Sequence, residues 1–221
     1  MQYQYISYVM KKIFQMSDLS MIRMVNHLFG KNYTDDQYVI KYFEDEPILC
    51  ISMIIGGTDQ YTCYVPYFEF IPQIYIREGG YVTVLHFKEQ EQVTVTDRMY
   101  ILMDCSARKL EKEGLILFLP LLFYCFREKE QNSDIKREVL KYFIFRDIVG
   151  ALHDSMKKGD ISVYDAEKLK QLCGYMAWKM LLGVKWMQSL ELQELLMEAF
   201  SADIELLERT HQRELDNIRN K

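Results

Sequence analysis

Two periodicities divide this chain, and the boundary between them limits the architectures open to it. From Val39 to Asp104, β-branched and aromatic residues gather in short runs separated by turn residues. The flanking stretches instead repeat their apolar residues at helical spacing. Strands set apart from helices in this way predict an α+β protein: a sheet core flanked by N-terminal helices, with a helical C-terminal region. The predicted strands cover residues 39–43, 48–55, 60–65, 73–77, 81–87 and 93–103. Gly56-Gly57 and Gly79-Gly80 stand between runs, and paired glycines accept the positive φ of tight hairpins. Such links predict a largely antiparallel or mixed sheet.

On the N-terminal side, Ile6, Val9, Met10 and Ile13 share one helical stripe, and Met21, Met24, Val25 and Leu28 share another. The break falls near Ser17 and Asp18, with Ser17 capping the second helix and Gly30 and Asn32 stopping it. After Arg108 the pattern is helical throughout. Residues 110–126 form an apolar segment that Pro120 kinks or divides. Ser133 caps a helix through Val139, Tyr142, Phe143 and Ile148 that ends at Gly159, and the run Ser162-Val163-Tyr164-Asp165 resembles a capping box. A last stripe of Leu196, Phe200, Ile204, Leu207, His211, Leu215 and Ile218 predicts one long amphipathic helix over residues 190–218. The expected division is a core region over 1–130 and a helical region over 131–221.

Composition narrows the setting. The longest apolar run, Leu115 to Phe126, is interrupted by Pro120 and falls short of the roughly 20 residues that cross a bilayer. The opening MQYQYISYVMKK is polar and aromatic, unlike a secretion signal. Five cysteines, dispersed and never in a CxxC pair, read as reduced thiols of a cytoplasmic protein. Four scattered histidines predict no zinc site. A net charge of -5 gives no general attraction to nucleic acid, and the pairs Lys11-Lys12 and Lys157-Lys158 read as solvated helix surface.

Three stretches carry a resemblance. YISYVMKKIFQMSDLSMIRMVNHLFGKNY resembles the opening helices of the Rpn-like PD-(D/E)XK nuclease-family transposases. KLEKEGLILFLPLLFYCFREKE is similar to the segment after that family's core, and a helix, KKGDIS and a second helix are similar to its C-terminal pattern. The resemblance implies a restriction-endonuclease-like core of mobile-element ancestry. Nucleases of this kind place an acid on one strand and E-x-K or E-x-Q on the next, so that two carboxylates hold Mg²⁺ against the phosphodiester. Here the resemblance sets Cys50 at the first acid, Tyr64 at the Glu and Pro66 at the Lys or Gln. Those residue types cannot hold a hard cation. Alternative alignments recruit Asp59 with Glu69, or Glu44, Asp45 or Glu46 from the acidic cluster before Pro47, which also reads as a solvated turn.

Other candidates have plainer readings beside them. His86, in YVTVLHF, is a possible general base and equally a half-buried strand histidine. Cys50 and Cys63 lie on neighbouring strands and can be two core thiols. Tyr61, Tyr64, Tyr67 and Phe68 suggest base stacking or a sheet core, and Met21, Met24, Met176, Met180 and Met187 suggest a partner groove or helix packing. The expected function is that of a pseudo-nuclease acting by protein or nucleic-acid binding, with no cofactor. The alternatives are an Mg²⁺-dependent endonuclease built on Glu46, Asp59 and Glu69, and a scaffold that self-associates or binds a protein through the C-terminal helix.

Overall fold

The computed structural model describes residues 2–44, 49–65, 73–78, 98–101, 104–130, 137–182 and 189–201. Helix α1 (Gln2–Phe14) buries Ile6, Val9, Met10 and Ile13, the predicted stripe. Helix α2 (Asp18–Phe29) starts where Ser17 Oγ accepts the Ser20 N–H at 3.4 Å and stops at Gly30, whose φ of 64° turns the chain out of the helix.

Five strands follow: β1 (Val39–Glu44), β2 (Leu49–Ile55), β3 (Asp59–Val65), β4 (Gln73–Glu78) and β5 (Arg98–Ile101). They form one sheet in the order β1-β2-β3-β4-β5, and every neighbouring pair is antiparallel. The mixed sheet that the sequence also allowed is therefore corrected over the described strands. A parallel neighbour needs a crossover of about a dozen residues, and β3 and β4 lie closer than that in sequence. At the β2–β3 hairpin, Gly56 and Gly57 have φ of 62° and 82°, the twist-matched geometry that a side chain would oppose. The predicted strand at 81–87 lies outside the described residues, and of 93–103 only β5 and the residues around it are described.

Alternation gives the sheet two faces. Met53, Ile55, Tyr61, Cys63 and Ile76 are fully buried on one, with Met53 opposite Tyr61 and Cys63 opposite Ile76. Helix α2 covers this face, placing the Phe29 ring 5.1 Å from that of Tyr61. It also holds the edge strand: Asp18 accepts the Val39 N–H at 3.0 Å and pairs with Lys41 at 2.9 Å. On the other face Ser52 and Thr62 are buried with their hydroxyls 3.2 Å apart.

The predicted helical segment 110–126 is three pieces. Helix α3 (Ala107–Lys112) ends before Gly114, a fully buried 3-10 turn (Ile116–Leu121) contains Pro120, and α4 (Leu122–Glu130) continues. Proline lacks the N–H and crowds the preceding turn, so it sits in the tighter turn and outside a regular helix. Helix α5 (Arg137–Tyr142) widens into a π-helical stretch, Phe143–Val149, before α6 (Gly150–Lys158), which Gly159 ends at a φ of 77°. Helix α7 (Val163–Leu181) buries every residue from Leu172 to Trp178, as only a central helix does.

Helix α8 (Ser189–Phe200) buries Leu192, Leu195, Leu196 and Phe200. At Ser201 φ is 51°, outside the right-handed basin, so the predicted helix leaves regular geometry there, and the rest of its stripe over 202–218 lies outside the described residues. One cluster of buried side chains spans Ile6 to Phe200. Residues of 1–130 and of 131–221 meet in it: Tyr8 lies 5.1 Å from Tyr175, and Phe123 lies 6.0 Å from Phe200. Among the described residues no helix is long and apolar enough to cross a membrane.

Candidate functional site

The strand register locates the residues that the family resemblance sets at acid positions. Cys50 and Tyr64 face each other directly across β2 and β3, with Glu44 of β1 opposite Cys50 on the other side. Asp59 is at the hairpin end of β3, opposite Ile55. Five residue steps along the strand separate it from Tyr64, a span of about 17 Å. The two places where an acid was sought thus sit toward opposite ends of the same strands. Asp45, Glu46, Pro66, Tyr67, Phe68, Glu69, His86 and Met187 lie outside the described residues.

Asp59 carries two hydroxyl donors. Its carboxylate accepts the hydroxyls of Tyr33 and, at 3.1 Å, Thr58. The Tyr33 bond, joined by Thr58 and the nearby Lys31, holds the Asp59 carboxyl below its ordinary range. Tyr33 is clasped in turn by Asn26, whose side chain bonds its backbone N–H at 2.9 Å and its carbonyl at 2.8 Å. Burial and the two oxygen neighbours push the Tyr33 phenol upward, and its hydroxyl is 2.6 Å from that of the fully buried Tyr61. Asp59 therefore ends a chain of oxygens that ties the segment after α2 to the hairpin.

Tyr61 is core and cannot stack on a base. In the strand register Cys63 is opposite Ile51 and Cys50 is opposite Tyr64, so the two cysteines are not cross-strand partners. Met21, Met24, Met176 and Met180 are buried among the helices, so they form packing and no open groove.

Two carboxylates that sequence reasoning gave no such role are the buried charged groups among the described residues: Asp165 and Glu111. Asp165 sits in the first turn of α7, where Ser162 Oγ accepts its backbone N–H at 3.0 Å. Its carboxylate turns away to α2. It accepts the Ser17 N–H at 3.2 Å, the Ser17 hydroxyl, and the Ser20 hydroxyl at 2.5 Å. Burial works to raise its pKa, yet these bonds outweigh it and keep the carboxyl below its ordinary value. Two helix N-termini, each with a partial positive charge, converge on one anion. The capping-box pattern marked this turn, but nothing local in sequence points to Ser17 and Ser20.

Glu111 anchors a second network. Lys158 reaches it from the end of α6 at 2.5 Å and Arg108 from one turn back in α3 at 3.0 Å. Desolvation opposes ionisation of Glu111, and the two cations reverse that effect. Arg108 also bonds Asp154 of α6 and lies near Asp147 of the π-helical stretch. It approaches along Gly150, where an added Cβ would stand 3.3 Å from Nη2. A guanidinium thus fills the space between three carboxylates. The helical spacing of Ala107, Leu110 and Glu111 could have placed Glu111 on the buried side.

A shallow cleft beside this network, lined by Arg23, His27, Glu111 and Asp160 among others, has room for about one water, far below a substrate pocket. Among the described residues, no group of three or more His, Cys, Asp or Glu side chains is placed to hold a metal ion. The buried carboxylates are held by Arg108 and Lys158 at Glu111 and by serine donors at Asp165, and each joins one helix to another. No family model, curated protein or solved structure matches this chain.

Proposed function

We propose that this chain is a non-catalytic relative of the PD-(D/E)XK nuclease-family transposases, with a restriction-endonuclease-like ancestry, and that it acts in the cytoplasm by binding a protein. The observation that carries this reading is the state of Asp59. The one candidate carboxylate with a described side chain, Asp59, accepts the Tyr33 and Thr58 hydroxyls and lies about 17 Å along the strand from the Cys50–Tyr64 pair that takes the acid positions. The helical segments that resemble the family support the ancestry. The net charge of -5 favours a protein partner over nucleic acid.

Incubating the purified chain with plasmid DNA and with RNA in Mg²⁺ or Mn²⁺ tests it. No cleavage above the buffer control is expected. Metal-dependent cutting that disappears in Asp59→Ala or Glu69→Ala would overturn the proposal in favour of a rearranged carboxylate site.

A further inference from the structure

Among the described residues, helices α5 and α8 expose several large apolar side chains. Tyr142 is 51% and Val139 46% exposed, and on α8 Leu190 is 63% and Met197 51% exposed. A Leu and a Met seven residues apart, with Glu194 between them and Glu198 beside Met197, form one stripe opposite the buried face of α8. The two helices are neighbours, linked by Arg137 and Glu191 at 3.8 Å.

Their charges differ in sign. Helix α8 carries Glu191, Glu194 and Glu198 and no Lys or Arg. Helix α5 and its π-helical continuation expose Arg137, Lys141 and Arg146 against Glu138, and the Arg146 guanidinium lies 4.9 Å over the Tyr142 ring.

We propose that these two stripes form a single self-association face whose occupant is a second copy of this chain; the inference names the partner for the binding role above and rests on that reading. An acidic and a basic stripe side by side become their own complement after a two-fold rotation, because the α8 of each copy then meets the α5 of the other. A partner of uniform charge would be repelled by one stripe wherever it sat. Tyr142 and Val139 on one helix and Leu190 and Met197 on the other supply apolar contacts, and the charges set the register.

Sedimentation equilibrium of the full chain over the micromolar range tests the face. A concentration-dependent dimer is expected. Glu194→Lys with Glu198→Lys, and separately Lys141→Glu with Arg146→Glu, should each weaken it by about tenfold or more. Mixing the two variants should restore a dimer, because each then carries stripes of one sign that match the other. All four sites are exposed, so circular dichroism should show a folded helical chain in both variants. If either variant melts early, Leu190→Ser with Met197→Ser provides the same reading without charge. A monomer at every concentration, a dimer that ignores the substitutions, or a mixture that stays monomeric would overturn the proposal. A chain that cuts and dimerises would defeat the non-catalytic reading and spare this face. One that neither cuts nor dimerises would do the opposite.

Discussion

The helical side of this molecule buries carboxylates and the described sheet exposes one. Asp165 and Glu111 are closed off from water, each with at least two donors from other elements or turns, whereas Asp59 lies open at a hairpin end. A buried anion is tolerated only when its donors repay desolvation, and it then becomes a joint that is costly to break. The comparison teaches where this chain invests its acidic groups. They fasten helices to one another, and over the described sheet no cluster of them remains to hold a cation.

The largest test of that contrast is Asp165→Ala, which strands two serine hydroxyls and a backbone N–H in the interior. A loss of about 3 kcal/mol in denaturant unfolding is expected, as for other buried charged networks. The pH dependence carries the same information. The folded-state pKa of Asp165 is depressed, so its contribution is complete above the unfolded value of about 3.9 and disappears as pH falls through the folded value. Asp165→Ala should accordingly flatten the acid limb of the melting curve. A variant that melts like the parent at neutral pH would break the comparison.

Asp59→Ala is the counterpart in the sheet. It should lower the melting temperature much less than Asp165→Ala, since Asp59 is exposed and Tyr33 stays clasped by Asn26. An equal loss would show that the hairpin latch matters as much as the helix joint.

The smallest effect sharpens the picture from the opposite sign. Burial raises the pKa of Asp147, only partly offset by Arg108 and Arg146. Its protonation therefore favours the folded state, a benefit present below the ordinary aspartate value and lost as pH rises through the folded one. Asp147→Asn should stabilise the protein at neutral pH by less than about 0.5 kcal/mol, with the gain vanishing in acid. Destabilisation at neutral pH would mean that Asp147 belongs to the Arg108 network as a full ion-pair partner.

Local signals explain what was legible. Ser17, Gly30, Ser162 and Gly159 each act on their own turn, and the helix ends they predict are where the structure has them. Strands β1 to β4 follow from alternation and paired glycines. The breaks were harder to see. Pro120 announced a disturbance, yet Gly114 ends α3 before it, and the π-helical stretch at Phe143–Val149 has no composition cue. Ser201 has the same difficulty, because its apolar stripe continues in sequence past a residue that leaves the helix. The Asp165 joint was invisible for a different reason: its partners are 148 and 145 residues away, and spacing rules reach only one or two turns.

That distance has a consequence for synthesis. A ribosome delivers the N-terminus first, so Ser17 and Ser20 emerge long before the acceptor they share. Until residue 165 has cleared the exit tunnel, the start of α2 must rely on water and on the Ser17 self-cap, and its docking onto α7 waits for the residues between them. Closure of this joint is consequently a long-range event that follows the local turns and carries the larger loop-closure cost of distant contacts.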